Sequence, residues 1–173
     1  MRLVRPLDHA MHPIVERLRQ HTAGQKLPPP ASVADIAEAE KRLGFRLPSL
    51  LRELYGMVAD GSFGPPYGFL PLLTPVPETK LPNLSLPGRN SVVQLYTLFR
   101  GGDPRRTIVV MPERLLPVLE WGCAIRSCVD CSSPSLAVVR DEPYVSRITE
   151  SPSLEQWLSD WMAGRDLWKI GAQ

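Results

Sequence analysis

Proline limits this chain more than any other residue, standing at 19 of 173 positions. A proline has no backbone N–H and a locked φ, so helix interiors and central strands exclude it, and regular elements must fit between prolines. The distribution is uneven. In GSFGPPYGFLPLLTPVPETKLPNLSLPG, Gly61 to Gly88, prolines occupy positions 65, 66, 71, 75, 77, 82 and 87. That stretch reads as a long, stiff, irregular connection, with helical patterns mostly before it and strand-like runs mostly after it.

Helical periodicity is clearest in the first sixty residues. In DHAMHPIVERLRQHTAG, Met11, Ile14, Val15 and Leu18 recur at helix spacing. Pro13 suits a first turn, so the helix is expected to start there and stop near Gly24. Lys26–Ala31, KLPPPA, is a rigid spacer. Ser32 and Asp35 form a capping-box pattern at the head of SVADIAEAEKRLG, with Val33, Ile36, Ala37, Glu40 and Leu43 expected on one face and Gly44 as the stop. Pro48 opens a third helix, whose stripe is Leu50, Leu51, Leu54, Tyr55 and Val58 and whose exit is Gly61.

A fourth helix is expected in SVVQLYTLFRGG with Ser91 as cap, then the strand-like runs TIVVM, LPVLEWGC, AIRSCVDC and LAVVRDE. SPSLEQWLSDWMAG closes the chain as a helix capped by Ser151, with Pro152 in its first turn and Leu154, Trp157, Leu158 and Trp161 inward. Short connections between consecutive strands imply antiparallel pairing. The expected class is α+β: one domain, residues 32–173, with a largely antiparallel sheet against several helices. Residues 1–31 are expected to be an amino-terminal helical arm and spacer.

The three cysteines all lie in WGCAIRSCVDC. The spacing Cys-x4-Cys-x2-Cys matches three ligands of a plant-type iron–sulfur protein. A fourth cysteine is lacking, and His9, His12 and His21 all lie near the amino terminus. Were the strand to begin by Cys123, that thiol would lie roughly 26 Å from Cys131 on the same face, with Cys128 on the other. A half-buried strand follows, with no metal and no cofactor expected. His9 and His12 beside Asp8 are too few for a metal site. An odd cysteine count suggests a reducing compartment. The amino terminus lacks the continuous apolar core of a signal peptide, so the expected location is cytoplasmic. No run of residues is long and apolar enough to span a membrane.

A net charge of +2 is too small to argue for nucleic acid. The densest basic group, Arg100, Arg105 and Arg106, is expected in a solvated loop. No Gly-x-Ser-x-Gly elbow occurs. GSFGPPYGF is no phosphate loop, since no lysine follows it and Pro65 and Pro66 lack the amides that would hold an anion. Glu40 on a largely apolar face has the chemistry of a general base, but is better explained as a carboxylate satisfied by backbone amides or an arginine. Phe63, Tyr67 and Phe69 in the stiff loop, with Trp121 at the start of a strand, are the candidate partner contacts, because rigid aromatics dominate interface energies. The competing expectation is that one or two of them cap the core. Trp157 and Trp161 are expected in the core.

One block carries a family resemblance. Glu40 ahead of Leu43-Gly44, then Leu47-Pro48 opening a helix, then the Asp60-Gly61 turn, resemble the signature of the SUKH superfamily, the SMI- and KNR-like proteins. LLPVLEWGCAIRSCVD and SLEQWLSDWMAG look like a bacterial branch of that group. The resemblance runs from Ser32 to about Trp168. Asp60 stands where asparagine is usual, and Ser62 and Phe63 replace a plainer glycine run. The resemblance implies an α+β fold and a protein partner. Many bacterial members are immunity proteins that neutralise a toxin domain, often a nuclease, whereas fungal relatives are scaffolds in cell-wall signalling. The expectation is therefore a non-enzymatic immunity protein against a polymorphic or contact-dependent toxin; the alternative is a regulatory or scaffolding domain.

Overall fold

A computed structural model describes residues 11–81, 84–86, 88–101, 110–142 and 147–170. His9 and Asp8, Arg105 and Arg106, and most of the run TIVVM lie outside them. Helix α1 (Pro13–His21) starts at the proline. His12 Nδ1 accepts from Ile14 N at 3.4 Å, and Glu53 Oε2 accepts from His12 N at 2.7 Å, so two otherwise unpaired amides are satisfied. Ile14, Val15 and Leu18 lie in the same core as the rest of the chain. The amino-terminal helix packs into the common core. The spacer is also fixed, because Ala31 N donates to Tyr55 O and Asp60 N to Pro29 O.

Helix α2 (Val33–Leu43) carries both bonds of the Ser32–Asp35 capping box and ends at Gly44. Its buried face is Ile36, Ala39 and Leu43. Val33, 82% exposed, and Ala37 point outward instead, because the helix turns its contact stripe one position from that expected. Helix α3 (Ser49–Glu53) has Pro48 as its flanking residue and widens into a π-helical turn, Leu54–Val58. A Cβ on Gly56 would stand 3.2 Å from Ile36 Cδ1, so this turn and α2 approach closely.

The proline-rich stretch is less irregular than its composition suggests. Strands β1 (Thr79–Leu81) and β2 (Leu84–Leu86) pair antiparallel, and Val76 bridges Arg89 below them. Pro77 lies just before β1, outside the paired residues, where a missing N–H costs no ladder bond. Helix α4 (Val92–Gly101) begins where the Ser91 hydroxyl accepts from Gln94 N.

Four strands form the main sheet, in the order β3-β4-β5-β6, each antiparallel to the next. They are β3 (Leu115–Gly122), β4 (Ile125–Asp130), β5 (Val138–Asp141) and β6 (Ile148–Ser151). Pro117 is tolerated because β3 is an edge strand. Val110 and Met111, the described end of TIVVM, are outside any strand. Gly122 pairs Ile125, so Cys123 and Ala124, at φ 50° and 63°, make a two-residue hairpin turn. Cys123 therefore does not sit in a strand, and the expected separation along one face does not apply to it. β6 takes up Ser151, which leaves Ser153, not Ser151, to cap α5 (Leu154–Met162). A short α6 (Leu167–Ile170), not anticipated from the sequence, follows. Among the described residues no helix is long and apolar enough to cross a membrane.

Candidate functional site

The loop after Gly61 closes on itself. Ser62 N donates to Phe69 O at 2.8 Å and Phe69 N to Phe63 O at 2.6 Å. Such a closure needs glycine at two points. Gly61 has φ +84° and Gly68 φ +66°, and a Cβ on either would lie within 2.8 Å of backbone atoms across the loop. Arg89 clamps the closure from outside: its Nη2 donates to the carbonyls of Tyr67, Gly68 and Phe69, and its Nη1 to Ser62 Oγ. Asp60 Oδ1 accepts from Leu72 N at 2.7 Å, and the Tyr55 hydroxyl donates to Leu70 O.

This geometry divides the loop aromatics. Phe63 and Phe69 are 0% exposed, stack at 4.6 Å, and meet Tyr55; Phe69 also meets Trp157. They are core residues and not partner contacts, because the loop's return path aims both rings beneath it. Tyr67, at the turn, is 60% exposed. Its ring meets that of half-buried Trp121 at 6.2 Å, and Trp121 meets Trp168 of α6 at 5.5 Å. Trp168 is 43% exposed. Tyr67, Trp121 and Trp168 form a continuous aromatic ledge drawn from three distant segments.

A buried polar network holds the ledge. The Trp121 indole donates to Ser127 Oγ at 2.8 Å, and that hydroxyl donates to Glu150 Oε2 at 2.7 Å. The Trp157 indole donates to the same oxygen at 3.1 Å. Arg140 Nε donates to Glu150 Oε1 at 2.6 Å, and its two terminal nitrogens donate to the carbonyls of Leu167 and Trp168. Its Cζ also lies 4.6 Å from the Trp168 ring centroid. A buried carboxylate is tolerable when its lone pairs are filled and a cation faces it. Here the pair also ties α6 to β5, so Trp168 is held by the core.

Beside the ledge a groove of about 410 Å³ is lined by Pro65, Pro66, Trp121, Trp161, Arg165, Asp166 and Leu167. A second cavity, of about 480 Å³, lies where α1, α3 and α5 begin, lined by His12, Cys131 and several serines. Burial pushes the Cys131 thiol up to about 12, with Asp130 adding to the rise and Arg114 opposing it, so it is protonated at neutral pH and a poor nucleophile. His12 Nδ1 is taken up as the α1 cap. Cys128 is fully buried and its thiol is raised further, again mainly by burial. Only Cys123 is exposed among the three. Among the described residues no group of three or more histidines, cysteines or acids is placed to hold a metal ion.

The block around Glu40 is a structural frame. Glu40 Oε1 accepts from Leu47 N at 2.9 Å and lies 3.4 Å from Arg52 Nε, which fixes the turn between α2 and α3. Leu43 and Leu47 are buried, Gly44 and Pro48 mark the helix ends, and Asp60-Gly61 starts the closed loop. Trp168, Arg89, Ser127, Arg140 and Glu150 were not among the sequence candidates. One signal does exist for Arg140: it shares the inward register with Val138 in a short apolar strand, a position that requires a buried acid elsewhere.

The sequence model of the SMI1 / KNR4 family (SUKH-1) matches residues 30–160. That span contains the Glu40 to Gly61 frame, Trp121 and the whole main sheet, and leaves α1, Trp161 and Trp168 outside it. No curated protein matches the chain.

Proposed function

The chain belongs to the SMI1/KNR4 family (SUKH-1), and from that membership we propose that it is a non-enzymatic protein-binding domain of the immunity type, acting in the cytoplasm to cover and neutralise a toxin domain. The observation that carries this reading is the ledge of Tyr67, Trp121 and Trp168, exposed in part yet anchored from below by Glu150 and Arg140. Rings held in place before contact lose little freedom on binding, which is the property a tight docking face needs. In the cavity where α1, α3 and α5 begin, the Cys131 thiol stays protonated and is a poor nucleophile.

Co-expression tests the proposal. The chain should protect cells from the toxic tail of a large secreted protein encoded beside it, and should co-purify with that tail. Tyr67→Ala combined with Trp168→Ala should abolish both effects while the circular dichroism spectrum stays that of the parent. Protection that survives the double substitution would move the docking face elsewhere. Failure of the parent chain to protect or co-purify would end the immunity reading.

A further inference from the structure

Tyr67, the most exposed ring of the ledge, has few ties of its own. Two prolines without N–H groups precede it, and a glycine with a permissive backbone follows. Among the described residues its hydroxyl and its amide make no hydrogen bond, and its one aromatic contact is with Trp121. The peptide after it is held at both ends. Gly68 N donates to Pro65 O within the turn, and Tyr67 O accepts from Arg89 Nη2 outside it. Arg89 also reaches Gly68 O, Phe69 O and Ser62 Oγ. Among the described residues no other group outside the loop bonds to residues 64–68.

The place of Arg89 is fixed independently of that loop. Its backbone exchanges two hydrogen bonds with Val76, both of 2.8 Å. The next residue, Asn90, donates to Glu120 Oε2 at 3.3 Å, one position before Trp121 on β3. Three consecutive carbonyls converge on Arg89 Nη2, at 2.8, 2.8 and 3.0 Å, and Ser62 Oγ lies 3.1 Å from Nη1. Carbonyl dipoles aimed at one point repel one another unless a cation stands among them. Bonds from a charged donor are also about twice as strong as neutral ones. Burial pulls the Arg89 guanidinium below the usual arginine range, opposed by Tyr55 and Glu120. An arginine stays charged at neutral pH even so. The cage of oxygens is thus closed by an internal cation, on a segment tied to the strand that carries Trp121.

We propose that Arg89 is the positioning residue of the docking face: its guanidinium stands in the carbonyl cage as an internal cation, holds the Tyr67 ring on Trp121, and thereby sets the affinity for the partner. The proposal rests on the docking function above and names the residue that prepares its face.

In 15N-labelled protein the four tryptophans give separate indole signals. The Tyr67 ring displaces that of Trp121 by its ring current, and Tyr67→Leu fixes where the signal lies without it. Arg89→Ala should move the Trp121 signal most of the way to its Tyr67→Leu position and leave that of Trp157 in place. Millimolar methylguanidinium, which refills the cage, should return it, whereas tetramethylammonium, which has no N–H to donate, should not. Arg89→Lys keeps the charge on a single nitrogen and should give an intermediate shift. Capture of the toxic tail should weaken about tenfold in Arg89→Ala, because an unfixed ring must be ordered on binding, and should recover with methylguanidinium. A Trp121 signal unmoved in Arg89→Ala, or moved but not restored by methylguanidinium, would overturn the proposal. Should Arg89→Ala not fold, Arg89→Lys decides, and a parental Trp121 signal in it would overturn the proposal. Should the parent chain capture the tail and Arg89→Ala capture it equally well despite a moved signal, the docking function stands and this proposal falls. Should the signals behave as described while the parent captures no tail, the placement of Tyr67 by Arg89 stands and the immunity function falls.

Discussion

Asp60 is half-buried and accepts from Leu72 N, and these surroundings give its charge a consequence. Burial raises its carboxyl above the usual range; the bond from Leu72 N–H opposes the rise and the charge of Asp35 adds to it. An acid raised in the folded state favours its neutral form there, so the stability it contributes is complete below about pH 4 and is lost as the pH climbs through the folded value. Asp60→Asn keeps the acceptor for Leu72 N–H and removes the charge. It should raise the melting temperature by about 2 °C at neutral pH and leave it unchanged near pH 3, a contrast that thermal melts at the two pH values resolve. The cysteines make a second residue-scale case. A maleimide should modify Cys123 alone in the native protein and all three thiols in urea, as read by intact mass. Equal native labelling of Cys131 would contradict its burial. The sequence could not separate these thiols, because that depended on where the strand began, and the Cys123–Ala124 turn contains neither glycine nor proline to announce it.

At the scale of elements, the contact between β5, β6 and α6 depends on one ion pair. Arg140→Ala would leave Glu150 buried with only Ser127 and Trp157 as donors and would free the carbonyls of Leu167 and Trp168. The expected loss is about 3–5 kcal/mol in urea unfolding, since the remaining charge stays out of water. Partner binding should weaken as well, because Trp168 loses its anchor. The loop after Gly61 responds to a backbone change. Gly68→Ala places a Cβ 2.7 Å from the Ser62 carbonyl carbon at a positive φ, and should cost about 1–3 kcal/mol by the same measurement. The helix starts at Pro13, Ser32 and Ser91 were legible because capping involves atoms two or three residues apart. The start of α5 was misplaced because Ser151 and Ser153 are both able to cap, and pairing of β6 with β5 decides between them.

Across the whole molecule, the family span and the folding unit differ. Residues 30–160 match the family, yet Ile14, Val15 and Leu18 are fully buried in the common core, with α1 against α5 and the π-helical turn. Burying three such side chains stabilises a fold by roughly 5–8 kcal/mol, comparable with the entire stability of many domains. A fragment of residues 30–160 should therefore lack a cooperative urea transition, whereas the full chain should show one. A sharp transition in the fragment would mean that α1 is an accessory.

Local chemistry within a few residues determined the α+β class, most helix starts, the antiparallel order of the strands and the part played by Glu40, because periodicity, capping and short turns leave their marks in adjacent positions. Only the tertiary structure decided which aromatics face outward. Phe63, Tyr67 and Phe69 look alike in a proline-rich loop that has no periodicity and hence no face until it closes around Gly61 and Gly68. It alone also brought Trp121, Ser127, Arg140, Glu150 and Trp168 together. A buried ion pair and a ledge of rings from separate segments are properties of chain closure, and no short stretch of residues encodes them.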